Sequence, residues 1–354
     1  MKRFYRTVVL SLVFVFLLSH VSFACTTFCL TRDGEVLFGK NYDWMVGDGL
    51  IFVNKRGVEK SAVSEGGANP ARWVSKYGSV TFNQYGRENP SGGMNEAGLV
   101  IELMWHAEAQ YPKTGAPTLG TLEWIQYQLD RSSTVTEVIT NSEKVRIDSL
   151  IPLHYLVSDK AGNTATIEFL NGKLLAHLGK TLTVSALTND SYDKSVKYAA
   201  ATPFERATTN SSLDRFVRAA QRTAEFERQP KTEQQAVDYA FEILSNVAQP
   251  GYTQWSIVYD QKRAKIYFRT LQSPQIKVID TTAFDFSCAS AVKMFDVNSK
   301  EGGDVTPKFA DYTRSANRNL IERSFEATEF LKGVPARERD LAASYFDNSP
   351  CRAK

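Results

Sequence analysis

Histidine and cysteine are both scarce in this 354-residue chain, with four of each. His20 falls near the N-terminus, and His106, His154 and His177 are scattered, so no His/Cys spacing resembles a zinc site. A metal-dependent hydrolase is therefore not expected, and neither metal nor cofactor is implied. Four cysteines are too few for a disulfide framework, although Cys288 and Cys351 have the option of pairing in an oxidising compartment. An excess of one charge is missing too. Of 42 Lys+Arg against 39 Asp+Glu, three basic and no acidic residues lie in the first two dozen positions, so the remainder is balanced. Nucleic acid is not an implied partner of such a chain. Beyond the N-terminal stretch no apolar run approaches a membrane span. No Pro/Gly/Ser-rich linker, low-complexity tract, charge run or internal repeat divides residues 25–354, which read as a single domain.

The N-terminus itself is distinctive. Lys2, Arg3 and Arg6 precede an almost wholly apolar stretch from Val8 to Leu18, and Ser22-Phe23-Ala24 puts small residues where a signal peptidase reads. Residues 1–24 are expected to be a cleaved leader, which makes the protein secreted or periplasmic and signal peptidase its maturation partner. Cleavage would leave Cys25 as the first residue, with a thiol and a free α-amine on one residue. Two other readings of Cys25 stay open at this point. One is the lipid-bearing cysteine of an anchored, non-catalytic envelope protein, whose leaders carry an aliphatic residue where Ser22 stands and a small one where Phe23 stands. The other is a buried structural thiol.

Strands are expected at Thr26–Leu30, Val36–Asn41, Gly98–Met104, His154–Ser158, Thr164–Phe169, Thr181–Ala186, Ser256–Asp260 and Ala264–Phe268. Amphipathic helices are expected at Leu119–Asp130, Val135–Ser142, Leu213–Glu227 and Gln234–Asn246. Hairpins outnumber βαβ alternation, which favours α+β layers with antiparallel sheets.

Asp33-Gly34 is a two-residue hairpin signal. Pairing outward from it sets Arg32 against Glu35, Lys40 against Thr27 and Cys25 against Tyr42, with Asp43 beside the new N-terminus. Lys40 and Asp43 face opposite ways in a regular strand, so both reach Cys25 only if the strand bulges or ends near Tyr42. The chemistry is feasible. A free thiol titrates near ~8.5 and an α-amine near ~7.7–8.0, so proton transfer between them is nearly balanced. A cation such as Lys40 favours the thiolate. Attack on an amide also needs oxyanion donors, each worth roughly 2.7–4 kcal/mol of barrier. Asn95, in a Gly-rich turn, and Asn189, after a strand, are candidates.

Five segments in order then carry a resemblance: Cys25-Thr26-Thr27, Phe38-Gly39-Lys40-Asn41-Tyr42-Asp43-Trp44, Gly93-Met94-Asn95-Glu96-Ala97-Gly98-Leu99, Leu187-Thr188-Asn189-Asp190, and Asp214-Arg215-Phe216-Val217-Arg218-Ala219-Ala220. Together they resemble the choloylglycine hydrolase family of bile salt hydrolases and penicillin V acylases, over most of Cys25 to about Phe268. Ser75–Val80 and Tyr111–Thr114 are similar to the exported Gram-negative penicillin V acylases.

The resemblance implies a four-layer αββα N-terminal nucleophile (Ntn) hydrolase with antiparallel sheets. It implies Cys25 as nucleophile, its α-amine as base, Asp43 holding the amine, and Asn189 with the Asn95 backbone N–H as the oxyanion hole. Arg215 falls on the family's second catalytic arginine, and Trp44 and Trp105 on aromatic positions of the acyl pocket. Lys40 departs from the family's usual arginine, keeping the charge but losing the two-pronged geometry. The expected substrate is a small N-acyl amide such as a phenoxyacetyl penicillin, with N-acyl homoserine lactones and conjugated bile salts as alternatives. An acid-ceramidase-like amidase is a further reading within the same superfamily. The stretch from Asn189 to Arg215 is shorter than in the bile salt enzymes, which leaves homo-oligomerisation open. The segment from Thr281 onward matches no part of the resemblance; its helix-prone Ala316–Ser344 is expected to cover an edge or contact a partner.

Overall fold

In the computed structural model, which describes residues 25–32, 34–63, 69–226 and 232–352, the strand Thr26–Arg32 returns immediately as Glu35–Asp43. The first 24 residues, and Asp33 of the expected hairpin loop, lie outside the described residues. Arg32 pairs with Glu35 and Thr27 with Lys40, the register a two-residue loop dictates. Gly34 has φ +86, a left-handed value that favours glycine in such a turn.

From Val36 to Asp43 the second strand is buried without interruption, because both faces are covered. Successive side chains point to opposite faces. Lys40 reaches across to the carbonyl of Leu103 in a second sheet. Asn41, on the other face, donates to the Leu244 carbonyl of the helix Glu233–Asn246 at 2.7 Å.

The first sheet has seven strands in the order Ala186–Leu187, Thr26–Arg32, Glu35–Asp43, Thr253–Asp260, Lys265–Thr270, Lys277–Asp280 and Gly303–Asp304. It is antiparallel except for its last pair. The second has nine strands among the described residues, antiparallel throughout, from Lys173–Leu178 at one edge through Val100–Trp105 and the central Pro90–Asn95 to Ala310–Asp311 at the other. The sheets stack face to face. Thr27 of the first lies 3.4 Å from the Met104 sulfur of the second, and Cys29 lies 3.3 Å from the Ser158 hydroxyl. Helices Ser212–Phe226 and Glu233–Asn246 cover the seven-stranded sheet, while Thr121–Arg131 packs on the nine-stranded one. This is the expected α+β, four-layer antiparallel arrangement.

The expected strand at Thr181–Ala186 is corrected. Gly179 (φ +54) starts a single 3-10 turn ending at Thr181, whose hydroxyl donates to the Leu178 carbonyl and accepts from its N–H. Only Ala186–Leu187 then joins the sheet, because the side-chain bonds at Thr181 favour a local turn over a ladder. The C-terminal segment contributes Gly303–Asp304 to the first sheet and Lys293–Asp296 and Ala310–Asp311 to the second, and then two helices, Arg314–Ala327 and Ala336–Ser344. Cys351 is disulfide-bonded to Cys288. No helix among the described residues is long and apolar enough to cross a membrane.

Candidate active site

Cys25, only 3% exposed, sits at the inner end of a cavity of about 680 Å³. Its Sγ lies 3.9 Å from the Asp43 carbonyl oxygen. The Glu35–Asp43 strand ends at that residue, and the neighbouring strand shifts register between Thr253 and Trp255, directly opposite Tyr42 and Asp43. That irregularity lets Asp43 and Lys40 both approach Cys25, although they point to opposite faces of a regular strand. The Asp43 carboxylate accepts from the Thr253 hydroxyl at 2.5 Å and from the Gln249 amide at 3.2 Å. Burial pushes its pKa up; Arg215, the Thr253 and Gln249 bonds and Lys40 oppose this only in part.

Arg215 is the hub. It sits one turn into the helix Ser212–Phe226 and is fully buried. Its guanidinium donates to the Cys25 carbonyl at 2.8 Å, to the Thr26 hydroxyl at 2.5 Å, to Asn189 Oδ1 at 2.9 Å and to the Asn210 carbonyl at 3.2 Å. A planar fork of five donors suits four acceptors arrayed around one point. Burial pulls Arg215 down to about 10, still a cation at neutral pH, and the charges of Asp43 and Cys25 hold it up.

Lys40 is equally buried. Beyond its bond to Leu103 it lies 4.0 Å from Glu102, whose other oxygen accepts from the Tyr259 hydroxyl at 2.5 Å. Gly92 on the adjoining strand makes room for that carboxyl, since a Cβ there would fall 2.1 Å from Glu102 Cδ. Burial pushes Glu102 up to about 7, against the pull of Lys40 and Tyr259. At Cys25 burial also dominates: it raises the thiol, Lys40 lowers it, and the Asp43 charge raises it again. The lowering by Lys40 is outweighed by burial. A thiol held neutral in this way needs a base at the moment of attack.

Asn189 is fixed from three sides. Its side-chain amide donates to the Trp105 carbonyl at 2.8 Å while its oxygen accepts from Arg215. Its N–H and that of Asp190 both donate to the Ser212 hydroxyl at 2.9 Å. Behind it the histidines that are scattered in sequence come together. His106 and His154 stack with ring centroids 4.4 Å apart, and their nitrogens lie 3.0 Å from the Asn189 carbonyl and 2.7 Å from the Thr188 carbonyl. Glu168 backs His154 at 3.3 Å. These three side chains are close enough to surround an ion. Two of the imidazole nitrogens, however, are turned onto the backbone of the Asn189 loop, an arrangement that braces the loop.

Trp44 and Trp105 line the cavity with centroids 6.1 Å apart, and the Trp44 N–H donates to Tyr85 at 2.7 Å. Asn95 belongs elsewhere, and its expected oxyanion-hole role is corrected. Its N–H donates to the Leu99 carbonyl at 3.0 Å, its amide to the Leu129 and Ser132 carbonyls at 2.8 and 2.7 Å, and its Oδ1 accepts from Ala97 and Leu99. Every group it has is used to shape the turn and anchor the Thr121–Arg131 helix. Thr253, Gln249, Glu102, Tyr259, Ser212, His106 and His154 were not singled out from sequence. They come from distant segments, and nothing local marks them.

The model of the linear amide C–N hydrolases, choloylglycine hydrolase family, matches residues 25–205 and 189–294. The chain belongs to the choloylglycine hydrolase family. It is an amidohydrolase acting on linear amides. The chain is 29% identical to a penicillin V acylase of Pectobacterium atrosepticum, over 81% of this chain and 89% of that one. It superposes on a penicillin V acylase from Agrobacterium tumefaciens with a TM-score of 0.72 and 31% identity, covering 82% of this chain and 98% of that one. A conjugated bile acid hydrolase from Clostridium perfringens shares the fold, with a TM-score of 0.64 at 20% identity over 77% of this chain and 96% of that one. The stacked antiparallel sheets described above are shared with these neighbours, and the match of the family model begins at Cys25.

Proposed function

We propose that this chain is an exported penicillin V acylase-like hydrolase that works from an N-terminal Cys25. One observation carries the reading: a buried thiol at the end of a largely apolar cavity, bracketed by Asp43 and by Arg215, which grips the residue's own carbonyl. Removal of residues 1–24 would convert the Cys25 peptide nitrogen into an amine beside the Asp43 carboxylate. That amine takes the thiol proton as sulfur attacks the amide carbon. Once protonated, it also offsets the burial that holds the thiol neutral. The oxyanion forms beside Asn189. An amide nitrogen has two hydrogens; one goes to Trp105, and the other serves the oxyanion. The ammonium then returns its proton to the leaving nitrogen, the C–N bond breaks, and an acyl-thioester remains. Water attacks the thioester, giving its proton to the amine; the C–S bond breaks, the ammonium returns that proton to sulfur, and the carboxylic acid leaves.

The apolar walls at Trp44, Trp105 and Leu103 suit an apolar acyl group. The likeness to two penicillin V acylases favours phenoxyacetyl amides among these. An envelope lipoprotein would carry its acyl chains on Cys25 outside the fold, whereas this thiol faces an interior cavity. The test is hydrolysis by the purified chain beginning at Cys25 of penicillin V, N-acyl homoserine lactones and glycine- and taurine-conjugated bile salts. Penicillin V is expected to be cleaved at its side-chain amide and Cys25→Ala to be inactive. Equal turnover by Cys25→Ala would remove the assignment.

A further inference from the structure

The cavity that ends at Cys25 is closed on its outer side by residues beyond position 294, where the family match stops. Phe325, from the helix Arg314–Ala327, and Phe330 and Leu331, from the turn after it, form that wall. Leu150 and Ile151 line the same cavity. Phe330 is 52% exposed and Leu150 is 99% exposed, so two large apolar side chains stand in water at the entrance.

The wall is firmly mounted. Leu320 and Ile321 are fully buried, Leu320 packing with Leu50 and Phe52 of the nine-stranded sheet. Asn317 accepts from the Arg87 N–H at 2.9 Å, and Arg323 pairs with Asp48 at 2.9 Å. The wall is also wired to the inner pocket. Thr328 lies 3.0 Å from the Tyr85 hydroxyl, which accepts from Trp44, and Phe325 meets the Tyr85 ring edge-on at 6.2 Å. Beyond it the chain end is held by the Cys288–Cys351 disulfide and by backbone bonds from Glu59 to Pro350 and from Arg352 to Gly57.

We propose that this C-terminal segment is the specificity-determining wall of the site. In this role Phe330, Phe325 and Leu331 contact the distal part of the acyl group and select apolar chains that extend past Trp44 and Trp105. The inference rests on the cavity being the acyl site, as proposed above. Its volume, about 680 Å³, lies within the roughly 300–1,000 Å³ that encloses a whole drug-sized ligand. A single aryl ring next to Cys25 would leave the outer part to water. A flexible apolar chain running from Cys25 past the two tryptophans would instead cover Phe330 and Leu150 at the mouth. Charged or short acyl groups gain nothing from this wall.

The test uses the chain beginning at Cys25 and its Phe330→Ala variant, with a series of N-acyl p-nitroanilides from butanoyl to dodecanoyl. Phe330 is half exposed, so its truncation leaves the fold intact, as circular dichroism checks. In the parent, kcat/KM is expected to rise by up to about three- to fourfold per methylene where the chain reaches the wall, the gain of burying one CH₂. Phe330→Ala should flatten that rise, so that its loss in kcat/KM grows with chain length. The same slope in the variant, or an equal loss at every chain length, would overturn the proposal. A second measurement does not depend on turnover. In a Cys25→Ala background, free carboxylic acids of the same lengths are titrated against tryptophan fluorescence, with and without Phe330→Ala. A chain-length slope in affinity that Phe330→Ala abolishes supports the wall even if no amide is cleaved. A slope unchanged by the variant, or no slope at all, overturns it.

Discussion

Replacing Arg215 with lysine keeps a cation in the site and removes the fork. The guanidinium now serves the Cys25 carbonyl, the Thr26 hydroxyl, Asn189 Oδ1 and the Asn210 carbonyl from one rigid plane. A lysine ammonium has three donors on a flexible stem and cannot reproduce that spread. At least one buried acceptor is left unsatisfied, at a cost of about 1–3 kcal/mol, and lost hydrogen bonds to a charged group are worth about 1.5–3 kcal/mol each. A net destabilisation of about 3–5 kcal/mol is expected, typical of a disrupted buried ionic network. The activity loss should exceed what stability explains, because Asn189 is oriented by Arg215. Misplacing one oxyanion donor costs about 10²–10³ in kcat. Urea unfolding gives the first quantity, and steady-state hydrolysis of penicillin V by the folded variant gives the second. An Arg215→Lys enzyme with near-parental kcat would refute the role of Arg215 as the organiser of both Cys25 and Asn189.

Two further predictions separate structural from catalytic groups. Glu102, held near pH 7 by burial, stays protonated where an unfolded carboxyl, at about 4.3, is ionised. Between those values the folded state binds the extra proton, so the Glu102 contribution to stability is full below about pH 4.3 and lost as pH rises through 7, by about 4 kcal/mol. Glu102→Gln should therefore gain on the parent in urea midpoint from pH 5 to pH 8; parallel profiles would contradict the assignment. Asn95→Ala should lose about 2–4 kcal/mol of stability by leaving the Leu129 and Ser132 carbonyls unbonded, with kcat/KM within about twofold of the parent. A large fall in kcat at unchanged stability would return Asn95 to the oxyanion hole.

What could be read from the sequence follows the range of each interaction. The first hairpin was legible because a two-residue loop fixes register outward, down to Thr27 opposite Lys40. The need for an irregularity near Tyr42 was legible from strand periodicity alone, though its location in the partner strand at Thr253–Trp255 was not. Asn189 was a candidate from its place after a strand and Arg215 was found by resemblance, and the structure joins them directly. Asn95 was misplaced because a motif reports that a residue matters without saying for what; its four partners all lie in the turn and the helix behind it. Glu102, Tyr259, Thr253 and Gln249 were missed because each meets the site across a sheet or between sheets, through contacts over large sequence separations. The C-terminal wall was invisible for the same reason. Helix propensity marks Ala316–Ser344 as helix-prone but does not say that Phe325 will face Tyr85.

The central claim is that the amine of Cys25 is the base, so the site is complete only when nothing precedes that residue. Two purified forms test it most directly, one beginning at Cys25 and one retaining Ala24. Each is mixed with penicillin V, quenched in acid and weighed by intact mass spectrometry, alongside steady-state turnover. The form beginning at Cys25 should turn over and show a phenoxyacetyl adduct on that residue, while the form retaining Ala24 should show neither. Equal turnover by the form that retains Ala24, where the nitrogen is an amide and cannot accept a proton, would contradict the account.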